Sequence, residues 1–558
     1  MLRLGEILIR KGIITSEQLQ TALTESKKTG EFVGKLLVRN KLITEEQFLE
    51  AVAEQLDLKF LPNLKDENIS PQAIKAVPAK LIWHYKFMPI DLKNKVLTIA
   101  VSDPMAVWAA EDLKLQLGFD IERVVAPEKE ISDTIRKYYG LGAETVEEIL
   151  KEKKKEAKKE EAVAFHPAEV EDLEKTAESA SVIRLVNQIL SEAIASRTTD
   201  IHIEPYRDSV RIRYRIDGVL YDISVPEEIR YLHHAIVSRI KILSNLDVVE
   251  KRLPQDGRAI VKIQNRQVDL RVSIIPSLYG ENVVIRILPM HLLLKLEDLG
   301  IGGKDLETMV DIISKPHGII FLTGPTGSGK TTTLYACLTR LNKESVKIIT
   351  IEDPIEYELE GITQIQVKPE IGLTFASVLR SVLRHDPDVM MVGEVRDLET
   401  AELAIRTSLT GHLIFSTLHT NDAPSGVTRL VDIGIEPYLV ASSVNAFISQ
   451  RLVRMLCPNC KQERKDTTGL PEILRGSKIY SSKGCKECGF VGYKGRVAIY
   501  EILIINDQLR QLIINRASAV DIRNKAKEIG LKTLYEAGME KVKQGITAPE
   551  EVMRAVEI

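Results

Sequence analysis

Apolar residues recur along this chain at two periods, and the places where the period changes divide it. Arg3-Leu4-Gly5-Glu6-Ile7-Leu8-Ile9-Arg10-Lys11-Gly12-Ile13-Ile14-Thr15 aligns on Phe32-Val33-Gly34-Lys35-Leu36-Leu37-Val38-Arg39-Asn40-Lys41-Leu42-Ile43-Thr44 at an offset of 29 residues. In each copy the threonine is followed by acids and then by apolar residues at helical spacing: Leu19, Ala22 and Leu23, then Phe48, Ala51 and Val52. This predicts a capped helix in each copy and a pair of helical hairpins overall. Between residues 63 and 140, the β-rich run Val96–Val101 and the helical pattern Glu128–Tyr139 predict a compact α/β companion. Residues 151–161 interleave six lysines with four glutamates and carry almost no apolar side chain, which predicts a solvated tether.

Helical spacing returns over Val182–Ala195, followed by alternating strand patterns at Asp200–Glu204, Val210–Ile216, Val268–Val272 and Val283–Ile287. From Gly318 onward, apolar strands alternate with helices, as in a doubly wound parallel sheet. The expected architecture is multi-domain α/β. It has an N-terminal region at 1–140, a charged linker at 141–178, a second α/β domain at 179–290 and a larger parallel-sheet domain at 301–558.

A length of 558 residues fits roughly three to four domains. Lys plus Arg (76) nearly balances Asp plus Glu (79), so no net field draws the chain to nucleic acid, and no nucleic-acid partner is expected. The apolar run Gly318–Leu322 falls far short of the roughly 18–20 residues that span a bilayer, and an acid at Glu6 comes too early for a secretory signal. A cytoplasmic protein is expected. Four of the five cysteines stand in two close pairs, and Cys337 reads as a core residue.

Gly324-Pro325-Thr326-Gly327-Ser328-Gly329-Lys330-Thr331 fits the phosphate-loop pattern between an apolar strand, Ile319–Thr323, and a helix opening at Thr332. Glycines let backbone N–H groups face the phosphates, Lys330 reaches the β and γ oxygens, and the Thr331 hydroxyl ligates Mg²⁺. A second apolar strand, Val389–Val392, ends in Gly393-Glu394. Gly393 stands where the aspartate of an acidic pair is usual, so Glu394 becomes the group placed to orient or deprotonate the attacking water. Ile349-Thr350-Ile351-Glu352-Asp353-Pro354 has the same form, so Glu352 and Asp353 either share the site or form a plain turn.

The phosphate loop, Thr350–Pro354, Asp386–Asp397, and Leu409–His412 through Ser416–Thr420 follow one another as in the secretion ATPase superfamily that powers type II secretion and type IV pili. The resemblance reaches back through Thr199–Pro205 and Arg252–Arg258, covers nearly all of 180–558, and is greatest to the extension motor of type IV pili. It implies a RecA-like motor domain preceded by a small PAS-like α/β domain. It implies that His412 and His419 touch or sense the γ-phosphate, and that Arg271 and Arg286 reach the phosphates. Without the family, these side chains read as structural histidines and solvent-facing strand arginines. Arg380, Arg384 and Arg396 match further family arginines of less defined role.

Cys457-Pro458-Asn459-Cys460 and Cys485-Lys486-Glu487-Cys488 form C-x2-C-x24-C-x2-C, two knuckles that close a tetrahedron around a structural Zn²⁺ within an insertion at 457–495. The family's assembly and secretion motors carry such an insertion, which favours extension over retraction. The N-terminal repeat resembles domains of some pilus and secretion ATPases that bind cyclic di-GMP. It departs from their pattern at Ser26 and at Phe32, so it reads either as a second-messenger site or as a protein-docking module. The family further implies a hexameric ring at the inner face of the inner membrane, with a pilus platform and associated cytoplasmic pilus proteins as partners. The alternatives are a type II secretion motor and a nucleotide-switched binding scaffold.

Overall fold

The computed structural model describes residues 4–29, 32–64, 67–103, 107–143, 145–146, 149, 179–263, 266–289, 295–465 and 470–556. Arg3, the tether at 151–161 and residues 290–294 lie outside these. The chain divides into two compact units, residues 1–287 and 288–558.

The first unit opens with four helices, α1 (Leu4–Arg10), α2 (Ser16–Thr29), α3 (Val33–Arg39) and α4 (Glu45–Gln55). Thr15 and Thr44 each exchange two hydrogen bonds with the glutamine three residues on, Gln18 and Gln47, closing a capping box at the start of α2 and α4. The two copies interlock: α1 packs on α4 and α2 on α3. The reciprocal ion pairs Arg10–Glu54 and Arg39–Glu25 join residues at equivalent positions of the repeat. The repeated glycine has a packing reason. A Cβ on Gly5 would stand 2.6 Å from a Leu19 methyl carbon, and one on Gly34 would stand 2.2 Å from the Phe48 ring. Gly34→Ala is therefore expected to destabilise this region by about 1–3 kcal/mol through overpacking, read as a lowered midpoint in thermal melting of the full chain.

Strands β1 (Phe87–Lys93), β2 (Val96–Val101) and β3 (Asp120–Val125) form a small sheet with the helix Glu128–Tyr139 against it. A six-stranded sheet follows, in the order β6-β5-β4-β9-β8-β7. Its strands are β4 (Thr198–Pro205), β5 (Val210–Ile216), β6 (Val219–Ile223), β7 (Gln255–Ile263), β8 (Arg266–Ser277) and β9 (Gly280–Pro289). Alternation places Ile201, Ile203, Ile212, Tyr214, Leu270 and Ile285 in a core shared with the helices Ala180–Ala195 and His233–Leu243. Strands β6 and β7 were not legible in the sequence because β6 buries none of its five residues and β7 buries only Ala259 and Ile263 after the polar start Gln255–Arg258.

The second unit is built on seven strands in the order β12-β11-β13-β14-β10-β15-β18. They are β10 (Gly318–Thr323), β11 (Ile348–Glu352), β12 (Thr363–Gln366), β13 (Val389–Val392), β14 (Leu413–Leu418), β15 (Val444–Leu456) and β18 (Tyr493–Ile504). All neighbouring pairs are parallel except β15 with β18. Two short strands, β16 (Gln462–Glu463) and β17 (Tyr480–Ser481), pair in the excursion between β15 and β18. The central strands are buried on both faces, which is why they read as continuous apolar runs.

Candidate functional site

Parallel register brings the chemistry to one edge of this sheet. Thr323 of β10 lies opposite Leu418 of β14, and Val392 of β13 opposite Ser416, so the phosphate loop, Gly393-Glu394 and His419 all leave the sheet at the same end. Gly324, Gly327 and Gly329 have φ of 146°, 80° and 89°, a region closed to most side chains, and they curl the loop into the helix Lys330–Leu341. Lys330 is buried, and its Nζ donates to the carbonyls of Gly324 (2.7 Å) and Pro325 (3.1 Å). Burial, and next the positive charge of Arg451, pull its pKa down to about 8, against the pull of Glu394.

Glu394 has a largely buried carboxylate, 13% exposed, that meets Arg396 Nη2 at 2.7 Å and His419 Nε2 at 3.5 Å. Thr417 Oγ1 donates to the Gly393 carbonyl (2.8 Å) and Ser416 Oγ to that of Val392 (2.7 Å), fixing the turn that presents the carboxylate. The His419 pKa is lowered, by burial first and then by Lys330, which favours the neutral ring.

His412 is not brought to this group. It precedes β14 at the opposite end, where its carbonyl accepts from Gly318 N (3.1 Å) and its ring bonds Thr410 and Thr407. The whole of β14 separates the two histidines, about 20 Å of extended chain. Glu352 is buried and enclosed: Thr350 Oγ1 donates to it at 2.5 Å, Gln364 Nε2 at 3.1 Å, and the Tyr335 hydroxyl as well. These bonds tie β11 and β12 to the loop's helix. Asp353 is exposed in the bend that follows. Arg380 pairs with Glu399 of the helix Leu398–Leu409, and Arg384 donates to the Arg380 carbonyl of the preceding helical turn, so each has a partner away from Glu394.

Arg451, which sequence reasoning missed, is buried beside the loop. The available signal was the polar run Ser449-Gln450-Arg451, set within β15 between the apolar runs Ala446–Ile448 and Leu452-Val453.

In the first unit, Arg271 and Arg286 both project from the face of the six-stranded sheet opposite its core, on β8 and β9. Arg286 Nε donates to Asp200 Oδ1 at 2.9 Å, leaving the tip of a side chain that is 59% exposed to face outward.

β15 runs directly into Cys457, and Cys457 N donates to the Gly492 carbonyl at the base of β18. The Sγ atoms of Cys457, Cys460, Cys485 and Cys488 all lie within 4.8 Å of one another. Cys457–Cys485, Cys460–Cys488 and Cys485–Cys488 each stand at 3.8 Å. Thiolates about 2.3 Å from a tetrahedral Zn²⁺ are about 3.8 Å apart, so the donor set fits that ion. Backbone N–H groups of Cys485 and Gly492 also donate to Cys488 Sγ. Replacing Cys457 and Cys460 together by serine is expected to drop bound zinc from about one per chain to near zero and to expose 457–492 to protease, because binding energy at such a site is folding energy. Metal analysis of the wild-type chain showing no zinc would remove the basis for this.

Fold and site together define a RecA-like phosphate-loop ATPase carrying a four-cysteine cluster. Residues 175–554 match the type II/IV secretion system protein family, and residues 56–145 match the MshEN domain, which begins where the helical repeat ends. The chain belongs to the type II/IV secretion system protein family, and it is an ATPase. The type IV pilus assembly ATPase PilB of Myxococcus xanthus is 42% identical over 561 residues, covering 99% of this chain and 98% of that protein. Type II secretion system protein E of Xanthomonas campestris is 39% identical over 519 residues, covering 91% of this chain and 90% of that one. The X-ray structure of the Legionella pneumophila ATPase DotB shares the fold, with a TM-score of 0.51 at 21% identity, over 66% of this chain and 95% of that chain. Among the described residues no helix is long and apolar enough to cross a membrane.

Proposed function

We propose that this ATPase is the motor that drives type IV pilus assembly, coupling ATP hydrolysis to the addition of pilin subunits. The observation that carries the reading is identity to a pilus assembly ATPase along essentially the whole chain, N-terminal region included. The loop amides and Lys330 hold the β and γ phosphates, and Thr331 and Thr332 open the helix beneath them. Thr331 would hold Mg²⁺, which would supply neutralisation of the negative charge on the phosphates. Glu394 orients and deprotonates the attacking water, and His419, 3.5 Å from it, keeps the carboxylate turned toward the phosphate side. Arg271 and Arg286 supply guanidinium forks to the transition-state charge.

The chain works as a homo-oligomeric ring, a hexamer, at the cytoplasmic face of the inner membrane, docked on a membrane platform and associated cytoplasmic pilus proteins. The helical repeat and the MshEN region take either cyclic di-GMP or a docking protein. A second reading, a type II secretion motor, is favoured by the 39% identity to type II secretion system protein E. The test is complementation of a strain lacking its own pilus assembly ATPase. Restored pilus extension supports the first reading, and restored secretion without pili replaces it with the second.

A further inference from the structure

Thr323, the last residue of β10, lies opposite Ser449 of β15, so the next two residues of β15, Gln450 and Arg451, run alongside the start of the phosphate loop. The fit is close. A Cβ on Gly324 would stand 2.7 Å from the Gln450 carbonyl and 3.1 Å from Arg451 Nη1, and one on Gly329 would stand 2.8 Å from Gln450 Nε2. Arg451 is 4% exposed, yet it forms no ion pair with a carboxylate among the described residues. Its Nη1 donates to its neighbour's carbonyl, on Gln450, at 3.1 Å. Its Nη2 donates to the carbonyl of Asn421 at 2.8 Å, and its Nε has no partner. A buried guanidinium without an ion-paired carboxylate is costly, and here Asp422 and Glu501 favour its charge only from beyond ion-pair distance.

Asn421, the acceptor of that Nη2 bond, lies two residues beyond His419 and one before Asp422, which caps the helix Ala423–Ile433 by accepting from Ser425 N at 2.8 Å. Asp422 also pairs with Arg523 of the helix Ala519–Glu528, and the buried Glu501 accepts from Ala423 N at 2.8 Å and from Leu534 N at 3.3 Å. The Asn421 turn is thus the point at which the segment His419–Asn421, the histidine strap, meets one central helix and two C-terminal helices. Arg451 packs against the loop at Gly324 while bonding that turn, and two neutral hydroxyls beside the loop reach it as well, Thr323 Oγ1 donating to the Asp422 carbonyl at 3.4 Å and Ser449 Oγ to that of Asn421 at 3.3 Å.

We propose that Arg451 is a positioning residue that links the phosphate loop to the Asn421 turn, so that nucleotide bound at the loop is felt by the histidine strap and by the helices capped there. The proposal rests on the phosphate loop being the nucleotide site. Hydrogen exchange on the full chain, with and without saturating Mg-ADP, tests it. In the wild type, ADP should slow exchange about tenfold or more at both 324–334 and 418–430. Arg451→Gln should keep the slowing at 324–334 and lose it at 418–430. Arg451→Lys keeps the charge but replaces the fork with a single donor group, and is expected to behave as Arg451→Gln does; it decides the matter if the glutamine variant fails to fold. In the lysine variant kcat should fall about tenfold with KM for ATP within about threefold.

Retention of the slowing at 418–430 in either variant overturns the proposal. So does its absence there in a wild type that shows it at 324–334. Loss at both segments in Arg451→Lys also overturns it, because Arg451 would then build the loop rather than connect it. A wild type showing no slowing at 324–334 sinks the nucleotide site itself, a separate failure that takes the linkage with it.

Discussion

Glu394→Gln is expected to bind Mg-ATP with near-native affinity and to hydrolyse it about 10²–10⁴-fold more slowly, a loss of about 3–5 kcal/mol of transition-state stabilisation. The amide keeps the size of the carboxylate and can still bond His419, but it accepts no proton and carries no charge. Glu394 is the acid whose charge bears on Lys330, whereas the other acid at a strand end, Glu352, is spent on Tyr335, Thr350 and Gln364. Equilibrium nucleotide binding and steady-state hydrolysis, measured on the same preparation, check this. Turnover within about threefold of wild type would remove Glu394 from the chemistry.

Arg271→Ala is expected to leave ATP affinity nearly intact and to cut hydrolysis on the order of 10³-fold, the scale of arginines that meet charge developing on the transferred phosphoryl group. Arg271 sits in the middle of β8, opposite Arg258, whose fork is committed to Asp269 at 2.8 Å through both Nε and Nη2. A strand arginine needed only for sheet stability would show its loss in melting and not in turnover, whereas Arg271→Ala is expected to melt near the wild type because the core side of β8, Leu270 and Val272, is untouched by the change. Arg271→Lys should recover little, since a point charge does not reproduce a planar fork on two phosphate oxygens. Single-turnover hydrolysis of pre-bound ATP separates the chemical step from binding, and full activity in Arg271→Ala would overturn the assignment.

The parts of this protein that could be read from the sequence are those whose physics is local. Three glycines, a lysine and a threonine between a strand and a helix define a phosphate loop within eight residues. Two pairs of cysteines define knuckles by spacing alone, and Thr15 and Thr44 cap helices with partners three residues away. The doubly wound sheet was legible for a related reason: strands buried on both faces become uninterrupted apolar runs, such as Val389–Val392.

Contacts distant in sequence were decided only by the tertiary structure. Register between β13 and β14 joins His419 to Glu394, and the length of β14 carries His412 away, although both histidines lie in one short segment. Burial encloses Glu352 and leaves Asp353 exposed, a difference that two adjacent acids do not reveal. Arg451 owes its place to the pairing of β15 with β10, strands more than a hundred residues apart, and the two copies of the N-terminal repeat interlock through pairs such as Arg39–Glu25. A local pattern states which conformation and which chemistry a segment can support. Which side chains meet is settled by strand order and register, where long-range packing fixes partners that no short window of sequence contains.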